Sequence, residues 1–154
     1  MIVVSNGLEA IKTDQHYGSL SRLIGNAFKG AHIDEILLSM IQMKQYFFFK
    51  NNKPIAVVSL RKKGYLVCTG TYHTNTIYNV ATAPYYRKKG YMKKLFRRVF
   101  DDMRKQRKKY AHLEVLKTNT KAINLYKKLG FKIIYECAPT SSHKGIYLMR
   151  LRLR

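Results

Sequence analysis

Val80-Ala81-Thr82-Ala83-Pro84-Tyr85-Tyr86-Arg87-Lys88-Lys89-Gly90-Tyr91-Met92-Lys93-Lys94-Leu95-Phe96 changes character twice. It begins as the end of a β-rich run, Tyr72 to Thr82, which Pro84 closes. A basic loop follows, and Gly90 opens an amphipathic helix with Met92, Leu95, Phe96, Val99 and Met103 on its apolar face. Lys93, Lys94, Arg97, Arg98, Arg104 and Lys105 occupy the other faces. Tyr110 to Leu116 reads as the next strand, so the piece is strand, helix, strand, with a right-handed crossover between parallel neighbours. The first amides of a helix lack carbonyl partners and lie at its positive pole, which makes an anion seat. Gly90 permits close approach to the backbone, and Arg87, Lys88 and Lys89 add charge-assisted contacts. A diphosphate suits such a nest. The same residues also read as a solvated turn, and one glycine among cations is neither a dinucleotide fingerprint nor a P-loop.

Working outward toward the C-terminus, Leu113-Glu114-Val115-Leu116-Lys117-Thr118-Asn119 runs from a strand into a polar turn. A helix, Asn119 to Leu129, follows and stops at Gly130. Glu114 lies on the strand, Asn119 at the helix start and Tyr126 two turns in. Each has a plain structural reading: an edge-strand charge, an N-cap, and a core ring sharing a face with Ala122 and Leu129. Phe131 to Glu136 and Ile146 to Leu153 read as a final pair of strands.

Toward the N-terminus, Ile2 to Val4 reads as a short strand, with Leu8 to Ile11 a second candidate. Leu20, Leu23, Ile24, Ala27 and Phe28 recur at helical spacing, with Ser19 as cap and Gly30 as stop. Ile33, Ile36, Leu37, Met40 and Ile41 form a second helical set, with Asp34 and Glu35 favouring its positive end. Gln45 to Lys50 and Ile55 to Arg61 are β-rich and separated by Asn51-Asn52-Lys53-Pro54; Lys62-Lys63-Gly64 is expected to turn the chain again. The order is strand, two helices, three strands, helix, strand, helix, two strands. That predicts an α+β fold, a mixed and mostly antiparallel sheet with a central parallel pair and helices on its faces.

The 154 residues include 30 Lys and Arg against eight acids, a net charge of +22, and 46% hydrophobic residues. One domain, residues 1–154, is expected at this length, and the apolar content excludes a wholly disordered polybasic chain. No stretch is long and apolar enough to span a bilayer, and Met1 to Asn6 lacks the marks of a secretory signal. Cys68 and Cys137 read as buried free thiols in a reducing, cytoplasmic setting. The five histidines, His16, His32, His73, His112 and His143, have no zinc spacing, and no metal is expected. Such a charge attracts anions: nucleic acid, acidic protein, acidic membrane or a phosphorylated cofactor.

The two segments together resemble a known family. The first is similar to the acetyl-CoA-binding motif of the GNAT family of N-acetyltransferases, V-x-P-x-[YF]-[QR]-x-x-G-x-[GA], with Met92 standing at the last position. The second is similar to its later motif, N-x-x-A-x-x-L-Y-x-x-x-G-F, at Asn119 to Phe131. The resemblance runs from about Tyr72 to Glu136. It implies a GNAT-like fold and acetyl transfer from acetyl-CoA to a primary amine of a protein, a peptide or a small molecule. It implies that main-chain groups of Val80, Ala81 and Thr82 hold the pantetheine arm. Arg87, Lys88, Lys89, Gly90, Tyr91, Met92 and Lys93 would hold the diphosphate, with Asn119 as a further cofactor contact. Tyr126 would lie near the sulfur and protonate the departing thiolate.

The amine must attack uncharged, and a lysine amine titrates near ~10.4 and a chain α-amine near ~7.7–8.0, so a base, direct or through water, is more important for lysine. Glu114 is the candidate, with Tyr78, His73 and Glu136 in reserve. The run L-E-V-x-x-x-N at Leu113 to Asn119 is similar, more narrowly, to ribosomal-protein N-terminal acetyltransferases. The competing readings are a basic nucleic-acid-binding module and a non-catalytic member of the same fold. An acidic protein or peptide suits the charge better than a polyamine does.

Overall fold

The computed structural model describes all 154 residues. The first half of the chain comprises β1 (Ile2–Asn6), α1 (Asp14–Ala27), α2 (Ile33–Ile41), β2 (Lys44–Lys50), β3 (Lys53–Leu66) and β4 (Thr71–Thr82). A 3-10 turn at Pro84–Tyr86 leads to α3 (Tyr91–Lys105), β5 (Tyr110–Leu116), α4 (Thr120–Lys128), β6 (Lys132–Cys137) and β7 (Ile146–Arg152). The seven strands hydrogen-bond in the order β1-β2-β3-β4-β5-β7-β6. The pairs β1–β2, β2–β3, β5–β7 and β6–β7 are antiparallel, and β4–β5 is parallel. This is the mixed α+β architecture and the element order expected from the sequence.

Three local readings are corrected. Helix α1 starts at Asp14, not near Leu20, and its cap is Thr13, whose hydroxyl oxygen accepts from the His16 amide at 3.1 Å. Ser19 is buried inside the helix. The first turn is polar, so the apolar periodicity begins late and hides it. Leu8 to Ile11 is a turn rather than a strand, closed by the Ile11 amide on the Leu8 carbonyl at 2.8 Å. Lys62-Lys63-Gly64 lies inside β3, and the chain turns at residues 67–70 instead. The Gly70 amide donates to the Leu66 carbonyl at 3.0 Å, and Gly70 takes φ +64.

The chain divides into two compact units, Met1–Arg61 with Ile77–Asp101, and Lys62–Thr76 with Asp102–Arg154. In the first, the core holds Leu20, Leu23 and Ile24 of α1, Leu37 and Met40 of α2, Phe47 and Phe49 of β2, Val57 of β3 and Ala81 of β4. Removing one such Leu or Phe side chain costs on the order of 2–5 kcal/mol, so this core fixes where β4 runs. A buried polar chain crosses it. Gln45 Nε2 donates to the Met40 carbonyl at 2.8 Å, Ser59 Oγ donates to Gln45 Oε1 at 2.7 Å, and Asn79 Nδ2 donates to Ser59 Oγ at 3.2 Å. In the second unit, β5 faces β7 with Leu113 opposite Met149 and Glu114 opposite Leu148. Ala111, Leu113, Val115, Tyr126, Phe131, Leu148 and Met149 are buried there. No helix is long and apolar enough to cross a membrane.

Candidate functional site

Strand β4 is irregular just where the sequence places the first site residues. Asn79 takes φ +49, a left-handed conformation that Asn tolerates better than most residues. Its side chain is tied to Ser59, which fixes the departure of Val80, Ala81 and Thr82. The parallel ladder to β5 holds at a single pair, Thr76 with His112, and β4 continues for six residues beyond it. The sequence reading missed Asn79. Its signal was present, since Asn is depleted in strand interiors and Asn75 and Asn79 both interrupt this one.

The loop after β4 is tightly drawn. The Ala83 amide donates to the Ile55 carbonyl at 2.8 Å, and the Tyr86 amide to the Ala83 carbonyl at 2.9 Å. Arg87 folds back, its Nε donating to the Thr82 carbonyl at 3.0 Å, so part of this guanidinium braces the loop and only the remainder can face an anion. Lys88 and Gly90 take φ +59 and +80. The first bond of α3 runs from the Lys94 amide to the Gly90 carbonyl at 3.1 Å, so the amides of Tyr91, Met92 and Lys93 precede the helical ladder. A Cβ built on Gly90 would meet nothing within 4 Å. Open amides, open space at Gly90 and the cations Lys88, Lys89 and Lys93 fit a diphosphate.

Aromatic residues support this turn; from the sequence, Tyr91 is expected among the diphosphate contacts, whereas Phe48, Tyr85 and Tyr86 read only as strand or loop. The Tyr91 ring packs edge-on against Phe48 at 4.8 Å and Tyr86 at 6.0 Å. Lys50 Nζ donates to the Tyr91 hydroxyl at 3.1 Å, which raises the pKa of that ammonium, and Lys89 Nζ sits 4.0 Å from the Tyr85 ring centre.

Glu114, Asn119 and Tyr126 belong to the second unit. Strand β5 lies inside the sheet, so Glu114 is not an edge charge. Its carboxylate accepts the Val67 amide at Oε2, 3.1 Å, and the Cys68 amide at Oε1, 2.5 Å. The turn that supplies both donors is fastened by a disulfide between Cys68 and Cys137, with Cα atoms 5.5 Å apart. This corrects the reading of both cysteines as free thiols; residues 69 apart in sequence give no local sign that they meet. Asn119 caps α4, its Oδ1 accepting from the Ala122 amide at 3.2 Å, which leaves its amide donors for other partners. Tyr126 is 6% exposed, with its ring 5.9 Å from that of Phe131. Burial pushes its phenol well above the ordinary tyrosine range, so it stays protonated at any working pH.

His73 Nε2 lies 2.9 Å from Thr69 Oγ1 and 3.1 Å from Thr71 Oγ1. Glu136 is paired with Lys117. Tyr78 is half-buried on β4, next to Asn79.

No curated protein sequence matches the chain. Solved structures that resemble it over nearly its whole length include the following three. The ribosomal-protein-S18-alanine N-acetyltransferase from Escherichia coli is 19% identical, with a TM-score of 0.71 over 99% of this chain and 94% of that one. Ard1 from Thermoplasma volcanium is 17% identical, with a TM-score of 0.74 over 99% and 98%. The NatC complex bound to Gag peptide and CoA supplies a chain 20% identical, with a TM-score of 0.70 over 99% of each. Likeness at such identities is a likeness of fold. The family model is the stronger finding, because it matches residues 20–131 and so takes in both motifs, and by it the chain belongs to the acetyltransferase (GNAT) family.

Proposed function

We propose that the protein is an N-acetyltransferase that moves an acetyl group from acetyl-CoA to a primary amine of a protein, a peptide or a small molecule. The observation that carries the reading is the start of α3, where the Tyr91, Met92 and Lys93 amides stand free of the helical ladder beside a left-handed Gly90. Family membership and a similar solved structure bound to CoA support it.

The loop amides and Lys88, Lys89 and Lys93 hold the diphosphate, and Arg87 braces the loop while offering its outer nitrogens. Main-chain groups of Val80, Ala81 and Thr82 hold the pantetheine arm, and the amide side of Asn119 adds a contact. Acetyl-CoA supplies an activated acyl carbon. The amine nitrogen forms a bond to that carbon, the carbon–sulfur bond breaks, and the amine loses one proton while the thiolate gains one. Glu114 receives the amine proton, directly or through a water, on lone pairs that Val67 and Cys68 do not use. Tyr126 serves the sulfur. With its phenol raised far above a thiol's ~8.5, it stabilises the leaving sulfur by a hydrogen bond, and the thiolate takes its proton from solvent.

The test is a thiol-release assay with acetyl-CoA across amines, peptides and small molecules, with mass spectrometry of the acceptor and calorimetry of acetyl-CoA alone. Measurable binding with acetylated product supports the reading. No heat of binding and no product from any acceptor would overturn it. Glu114→Gln should lower kcat by about 10²–10⁴-fold, the range for a lost general base. Unchanged turnover and pH profile would remove Glu114 from the role.

A further inference from the structure

The second unit carries a disproportionate share of the charge. It holds sixteen Lys and Arg against three acids, Asp102, Glu114 and Glu136. Glu114 is engaged by backbone amides and Glu136 by Lys117. Little acidic charge remains to neutralise the rest.

Part of that charge converges on a concavity of about 490 Å³. Five of its seven lining residues are cations: Lys62 and Lys63 from β3, and Arg107, Lys108 and Lys109 from the link between α3 and β5. Thr74 and Asn75 of β4 complete it, with Asn75 held in place by donating to the Tyr110 carbonyl at 2.9 Å. No residue of the acetyl-CoA loop lines it.

The link is built in a specific way. The Lys108 amide donates to the Met103 carbonyl at 3.0 Å and the Arg107 amide to the Arg104 carbonyl at 2.8 Å, the paired bonds of a Schellman ending. Its left-handed position is normally glycine, yet Arg107 occupies it at φ +56. The attraction of a helix's negative end for cations accounts for Arg104, Lys105 and Arg107. It does not account for Lys62 and Lys63, which arrive from a strand.

We propose that this concavity binds the sugar–phosphate backbone of a nucleic acid, without regard to sequence. Its lining residues carry ammonium, guanidinium and hydroxyl groups for phosphate oxygens, and none of them is an apolar or aromatic residue that would hold a base or a lipid tail. A membrane surface would call for apolar insertion beside the cations, and an acidic peptide would bring apolar side chains that find no partner here. A nucleic acid brings closely spaced phosphates, and its binding gains from counterion release. The inference does not depend on the acetyl-transfer reading.

The test is fluorescence anisotropy of a short labelled RNA with the full chain, across a salt series and at saturating acetyl-CoA. A triple variant, Lys62→Gln with Arg107→Gly and Lys109→Gln, is compared with a charge-matched control, Lys127→Gln with Lys128→Gln and Lys132→Gln. The wild-type protein should bind RNA with acetyl-CoA present, and a labelled DNA duplex should bind as well. In the triple variant the slope of log K against log salt should fall by about two to three units, and low-salt affinity by more than about tenfold. The control should lose less of both. The single Arg107→Gly variant, which relieves the left-handed strain, guards against misfolding and should lower the slope by about one unit. Equal losses in the control would show diffuse attraction and overturn the site. So would abolition of binding by acetyl-CoA, no RNA binding at all, or tighter binding to phosphatidylserine vesicles or poly-glutamate than to RNA. Heat stabilisation by acetyl-CoA should be the same in wild-type and triple variant.

Discussion

Gly90 combines a φ of +80 with empty space at its missing Cβ, so substitution there separates two effects. Gly90→Ala should destabilise the free protein by only about 1–2 kcal/mol, the left-handed penalty of a residue with a Cβ. If the diphosphate sits over this turn, the same methyl group displaces it, and acetyl-CoA affinity should fall by more than about tenfold, beyond what the stability change explains. Calorimetry and urea unfolding on one preparation separate the two, and an unchanged Kd would move the cofactor elsewhere. His112 couples stability to pH. Burial lowers its pKa, repulsion from His73 and Arg150 adds to that, and a hydrogen bond to the Thr74 carbonyl at 2.7 Å opposes it. The folded state therefore holds this imidazole neutral below the pH at which the unfolded chain takes up a proton, near ~6.5. Stability should fall as pH drops below that point. His112→Gln should lose less stability than wild-type between about pH 7.5 and 5.5 in urea melts, since the unfolded chain then has one proton fewer to gain.

At the scale of elements, the turn between β3 and β4 decides how firmly Glu114 is held. Two amides of that turn grip the carboxylate, and the Cys68–Cys137 bond ties the turn to the end of β6. Closing a loop of 69 residues should contribute on the order of 2–4 kcal/mol. Reductant should lower the melting temperature of wild-type and leave Cys68→Ser with Cys137→Ser unaffected; a drop in both would assign the effect to something other than the disulfide. The same turn marks where sequence reading stops. Lys62-Lys63-Gly64 has turn composition, yet β3 runs straight through it, because exposed strand positions accept lysine as readily as loops do. Helices α2, α3 and α4 were legible, since each pairs a glycine, proline or cap with a clean apolar stripe. The start of α1 was not, for its first turn buries little besides His16. The loop before α3 was legible because its left-handed turn favours glycine at one position. The Glu114 grip, the disulfide and the Lys50–Tyr91 contact join residues remote in sequence, and no local pattern announces them.

For the whole molecule, charge and ligand binding are coupled through stability. A chain with net charge +22 repels itself when compact, and added salt screens that repulsion. The free protein should therefore melt at a higher temperature in about 0.15 M salt than in about 0.01 M, where the screening length is roughly 30 Å. Acetyl-CoA binds only the folded state under the proposed function, so at about 100 times its Kd it should add roughly 2.7 kcal/mol. For a chain of this size that is a rise of roughly 5–11 °C. The two effects should not add. The coenzyme is a polyanion and relieves part of the same repulsion, so salt should stabilise the bound protein less than the free one. Salt also weakens the binding itself by screening the loop cations. A four-way melt, with and without acetyl-CoA at low and high salt, tests the coupling. A larger salt gain in the bound protein would mean that the coenzyme does not bind against the basic loop, and would move the search for its seat away from the start of α3.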